Sequence, residues 1–280
     1  MLGLTMTWLT GCATSMTDMT PSKALEPGHV QLSAQMQASV QDTPVRKSIA
    51  AGADARDEFM QDGGDPVEEE TVRDFVDAGL AWLLFRPGVS TEFMARIGVW
   101  DGLLEGLEFG LRYDTKMLKG DAKVQLFESD DERWAVAADF GFAHHLSVVN
   151  DATKYLTLTD FSRNDLDFQL SGGVQLGDVF RGWVGPRVIA SRVSAEPVLP
   201  GYVRDKIPPE LEKYDPNQFF DDAWLMYYGV TAGMMVGYKY VFLALELSTF
   251  RVAFRPEVFG EERNFDGTVF APAAGLVVTW

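Results

Sequence analysis

The chain has 280 residues, 46% of them hydrophobic and 12% aromatic, a composition that excludes disorder of the whole. Its net charge of −17 excludes nucleic acid as a partner, since phosphates require Lys and Arg against them. No run of about 18 uncharged apolar residues occurs, so a spanning helix is excluded, and the chain can cross a membrane only as a closed β-barrel.

The single cysteine, Cys12, excludes an internal disulfide and closes the tetrad Leu9-Thr10-Gly11-Cys12. That tetrad resembles the lipobox of bacterial lipoproteins, although no Lys or Arg precedes it. The resemblance implies lipidation of Cys12, with residues 1–27 as signal, lipobox and tether, the polar stretch from Ala13 to Ser22 forming the tether.

From Val30 to Val40 the residues Val30, Leu32, Ala34, Met36, Ala38 and Val40 alternate with Gln31, Ser33, Gln35, Gln37 and Ser39. Period-2 alternation over eleven positions is a strand, and its length suits a tilted membrane strand. An acidic stretch follows: Asp42 to Asp77 holds 11 acidic and 4 basic residues, a net of −7, and reads as a solvated loop over 42–70. The same alternation returns in Leu107–Tyr113, Leu118–Leu126, Trp134–Ala143, Asp167–Leu176, Phe180–Ser191, Tyr228–Lys239, Val241–Ser248 and Phe270–Trp280. Weaker candidates are Asp77–Arg86, Thr91–Trp100 and Tyr155–Phe161, and Leu80–Phe85, apolar on both faces, could equally be helical. The sum predicts an all-β, closed antiparallel up-and-down transmembrane barrel of about 12 strands, with 10 as the alternative, over residues 28–280. Tight turns at Asp114-Thr115 and Gly177-Asp178 contrast with long polar loops near 42–70, 194–222 and 255–267, so the loop end should be strongly negative. Aromatics near strand ends, among them Tyr113, Trp134, Trp224, Tyr227, Tyr228, Tyr238 and Tyr240, suit interfacial girdles.

The last strand, ending on Trp280, resembles the C-terminal strand of bacterial outer-membrane β-barrels. That family uses a terminal Phe or Trp as an assembly signal. The resemblance implies an outer-membrane location and, as partners, outer-membrane lipids, the barrel assembly machinery and small solutes.

The inward parity collects Arg96, Glu108, Arg112, Lys119, Asp121, Lys123, Asp139, Asp167, Arg181, Arg187 and Glu246. Two readings stand side by side: a lumen filled by ion pairs, or a charged constriction selecting small solutes, with Arg96, Arg112, Lys119 and Lys123 as a basic patch for anions. Function is therefore a narrow passive channel or a structural or accessory barrel. Two alternatives remain. His145-Leu146-Ser147, with Asn150 following, is similar to the His-x-Ser spacing of outer-membrane phospholipase A and implies a lipid hydrolase, although His145 and Ser147 share the inward parity. A lipid-tethered periplasmic barrel binding an apolar ligand would instead turn the apolar series inward. No cofactor motif, metal-ligand spacing or phosphate-binding loop is present.

Overall fold

A computed structural model describes residues 15–62, 69–85, 87–100, 106–114, 116–146, 157–198, 220–258 and 261–280. Among them, ten strands close into one antiparallel barrel. These are β1 (Val30–Gln41), β2 (Gly88–Trp100), β3 (Leu107–Asp114), β4 (Met117–Glu128), β5 (Trp134–His145), β6 (Thr157–Leu176), β7 (Phe180–Val198), β8 (Phe220–Tyr238), β9 (Val241–Phe254) and β12 (Gly267–Thr279). Each pairs with its sequence neighbours, and β1 closes on β12 in the register Gln31 with Thr279. Trp280 completes this seam by exchanging main-chain bonds with Val30, at 2.8 and 3.0 Å. Helices α1 (Thr43–Asp62) and α2 (Glu69–Leu84) lie between β1 and β2, and a small ribbon, β10 (Glu257–Val258) with β11 (Glu261–Glu262), lies between β9 and β12.

The strand number is ten, the alternative expected from sequence, and not twelve, for two local reasons. Asp77–Arg86 is not a strand: through Leu84 it belongs to α2, because Leu80, Ala81 and Leu84 fall on one helical face that has apolar surface to cover. From Thr157 onward, the segment expected over Tyr155–Phe161 is the start of a single 20-residue strand, β6, that continues through Leu176. The acidic stretch expected as a loop over 42–70 carries α1 and the start of α2 instead, since side-chain charge does not prevent a helix when a partner helix is at hand.

Alternation sets inside and outside as expected. Gln31, Ser33, Gln35, Gln37 and Ser39 are buried in the lumen, whereas Leu32, Met36 and Val40 are exposed on the wall. The inverted, soluble barrel is thereby overturned, because large apolar side chains of every wall strand face outward. On β8, Tyr228, Val230, Met234, Val236 and Tyr238 form an exposed file. The ten steps from Tyr228 to Tyr238, at about 3.3 Å each and tilted by about 40°, span about 25 Å, the height of a membrane-barrel apolar band. Trp134, Tyr238, Tyr240 and Trp280 ring one end of this band, and Tyr113 and Trp224 the other. Tyr227, grouped by sequence with these girdle residues, points inward against Phe250 at 6.3 Å, since neighbours on a strand face opposite sides.

The joints after β2, β4, β6 and β8, together with Trp280, define a short-turn end. The helical hairpin and the long loops lie at the other end, and so does the Asp114-Thr115 joint despite its shortness.

Candidate functional site: a lumen filled by the chain itself

Polar residues on the inward parity create a wet tunnel unless something occupies it. Here the occupant is the segment from Ser15 to Leu25, which runs inside the barrel before an exposed bend at Glu26–His29 leads into β1. Gly28 turns this bend in the left-handed region, φ 84°, which glycine enters without steric cost. The polar stretch expected as an external tether is thus, from Ser15 onward, buried within the wall. A segment of Ser, Thr, Asp and Pro fits there because its polar side chains and bare main chain meet hydrogen-bonding groups instead of lipid.

The lumen holds this segment chiefly by its main chain. Gln37 Oε1 accepts the amides of Met16 and Thr17, both at 2.9 Å. The two oxygens of Glu246 accept the amides of Asp18 and Met19, both at 2.7 Å. Met19 takes φ 46°, an unusual value for a non-glycine residue, and successive amides in such a conformation converge on one anion. Trp183 Nε1 donates a further bond to Glu246 at 3.3 Å. Nearer the short-turn end, Gln125 accepts from Ala24 at 2.7 Å and Glu108 from Leu25 at 2.9 Å. Carbonyls are met by cations: Arg187 donates to Met16 O at 2.9 Å and Ser15 O at 3.3 Å, Arg112 to Thr17 O and Asp18 O, and Lys123 to Pro21 O at 2.8 Å.

The same cations are neutralised by wall carboxylates. Arg96 pairs with Glu108 at 3.2 Å, with Asp139 at 2.8 Å and with Asp121. Lys123 shares Glu108 at 2.5 Å, while Asp167 receives Lys119 and Arg187. Arg112 pairs with Glu92 at 3.3 Å and with Asp18 of the segment. Arg181, at the short-turn end, is half-buried with its guanidinium 4.7 Å above the Phe242 ring.

Above the segment the long-loop end is closed by carbon. Leu80, Ala81, Leu84 and Phe85 of the α2 region enter the mouth and pack on Phe250, Val252, Phe254 and Phe265. Phe85 meets Phe254 edge-on at 5.9 Å, and Met16 joins the underside of this cluster. Lys47 of α1 tethers α2 through Asp77 at 2.9 Å and lies over the Phe265 ring.

The inward residues named from sequence are therefore placed in the lumen, but as one paired network. The four cations expected as an anion patch each have a carboxylate, so the ion-pair-filled lumen is the arrangement present and the unpaired basic patch is not. What alternation could not supply was the occupant, and with it the roles of Gln37, Gln125 and Glu92 as its partners; the buried Arg163–Asp165 pair, 2.8 Å apart, was also not singled out. One signal was legible. Along β9 the inward positions Phe242, Ala244, Phe250, Val252 and Phe254 are as apolar as the outward ones, which marks surface covered from inside. His145 is buried and bonded to Asp165 at 3.1 Å, whereas Ser147, Asn150 and Cys12 lie outside the described residues.

An antiparallel barrel apolar outside and polar inside is a transmembrane β-barrel, the architecture of bacterial outer-membrane proteins. No family model and no curated protein matches the chain. Among solved structures it is similar to Neisserial surface protein A, at 12% identity over 89% of this chain and 95% of that one, TM-score 0.33. It is also similar to Ail of Yersinia pestis, at 7% identity over 91% and 99%, TM-score 0.33. The outer membrane protease OmpT from Escherichia coli matches at 9% identity over 94% and 100%, TM-score 0.37. These scores are too low to add to what the barrel itself establishes.

Proposed function

We propose that the chain is a closed structural or accessory barrel of the Gram-negative outer membrane, and not an open channel. One observation carries this reading: residues 15–25 fill the lumen and α2 caps the mouth above them. A selective constriction needs fixed charges facing a water path, whereas the charges here face each other and a peptide. The outer face supports outer-membrane lipids as surroundings, and the strand ending on Trp280 supports recognition by the assembly machinery. Small solutes are not cargo in this reading.

The test is planar-bilayer conductance of the full chain after its fold is verified by a mobility difference between boiled and unboiled samples. Silent bilayers from heat-modifiable protein are expected; a steady ohmic current from the unaltered chain would remove the closed-barrel reading in favour of a channel.

The lipobox adds a second element. We infer that Cys12 carries a lipid anchor. Metabolic labelling with a fatty acid should mark the wild type and not Cys12→Ser; an unlabelled wild type removes the anchor.

A further inference from the structure

The wall treats residues 15–25 as a main chain more than as a sequence. Among the described residues, six of its amides and six of its carbonyls are bonded by wall side chains. Side-chain bonds are fewer: Ser15, Thr17, Asp18, Thr20 and Lys23 meet wall groups through theirs, while Ser22 Oγ is buried with no hydrogen-bond partner among the described residues. Apolar anchoring is confined to Met16, Met19 and Leu25. The connection from this segment to the wall is the exposed bend Glu26–His29 at the short-turn end.

We propose that the lumen is a binding site for a non-helical polypeptide segment, with residues 15–25 as its resident and exchangeable occupant. The ligand class follows from the chemistry that holds the resident. Neighbouring amides turned to one acceptor, carbonyls offered to guanidinium and ammonium groups, and three spaced apolar side chains are features that a peptide presents once it takes the turned main chain seen at Met19. Main-chain recognition of this kind gives affinity without strict sequence demand, and the few apolar pockets, with the Arg112 site for Asp18, give what selectivity there is. Entry is from the short-turn end, because the aromatic cluster around Phe85 and Phe254 closes the other. The inference rests on the same filled lumen as the closed-barrel reading, and peptide capture is read separately from conductance.

The experiment places a protease site within Glu26–His29 of the full chain carrying Cys12→Ser, so that no lipid retains the freed segment, and cleaves it after folding. The freed segment is washed out in mild denaturant under conditions where the barrel keeps its unboiled gel mobility. A labelled synthetic peptide of residues 15–25 is then titrated in, beside one in which the residues other than Met16, Asp18, Met19, Pro21 and Leu25 are permuted. Saturable capture of both is expected, with affinities within about tenfold of each other. Capture should weaken about tenfold in Glu246→Ala, which removes two charge-assisted bonds. Capture of neither peptide overturns the site, and capture of the native order alone overturns main-chain recognition. If cleavage costs the barrel its mobility, the full chain carrying the permuted segment decides. Protection of that segment from protease supports the inference, and digestion of it overturns the inference.

Discussion

Glu246 is the point at which a single side chain organises the lumen. It caps two successive amides of the inner segment and accepts from Trp183, and Gly233 leaves the space in which the Trp183 indole lies. A Cβ at position 233 would overlap that ring, so Gly233→Val should displace Trp183 and destabilise the fold by about 1–3 kcal/mol, read as a lower urea midpoint of the heat-modifiable form. Asp167 holds two cations at once, Lys119 and Arg187. Asp167→Ala leaves both buried without it and should cost about 3–5 kcal/mol in the same titration, whereas a surface pair such as Arg133–Asp131 should cost little. On the helical hairpin, burial raises the Asp74 carboxyl above its ordinary value, and Asp54 beside it adds to the effect. A raised acid binds more protons folded than unfolded, so hairpin docking is favoured at low pH and weakens as pH rises through the folded value. Protection factors of α1 and α2 amides, corrected for the intrinsic pH dependence of exchange, should therefore be higher at pH 5 than at pH 8, and Asp74→Asn should flatten that difference; an unchanged slope in the variant would assign the effect elsewhere.

Among the elements, the strands were the most legible. Nine clear alternating segments and Thr91–Trp100 are the ten strands of the barrel, with parity intact from Val30 to Trp280. Periodicity read them because each residue of a barrel wall faces either lipid or lumen. The helix α2 was legible only as the helical alternative for Leu80–Phe85, and the inner segment escaped, for a related reason: neither has a period set by two solvents. Leu80–Phe85 is apolar all round because it plugs a mouth, and Ser15–Leu25 is polar because it lies in a polar tunnel. The two-faced apolarity of β9 was the trace of both, since Phe242 supports Met19 below and Phe250, Val252 and Phe254 receive α2 above. The cap is testable by truncation. Phe85→Ala removes the edge-on contact with Phe254 and should destabilise cap docking by about 3–5 kcal/mol. Protease should then cut α1 and α2 while the barrel keeps its gel mobility, and equal resistance to wild type would show that the cap is held elsewhere.

For the molecule as a whole, two solvents and one occupant explain the arrangement. Lipid selects the apolar outer file and its aromatic rims, and the acidic hairpin projects beyond them. Inside, near-balanced charge on the wall is neutralised within the wall and by Asp18, so burial of so many ions is compensated by pairing and by the inner peptide. Everything functional here follows from residues 15–25 occupying the lumen, and amide hydrogen exchange of the full chain in lipid nanodiscs tests that most directly. The amides of Met16, Thr17, Asp18, Met19, Ala24 and Leu25 should exchange as slowly as those of the adjoining strands. Exchange of these amides at the rate of an unstructured peptide, with the strands still protected, would contradict the filled lumen.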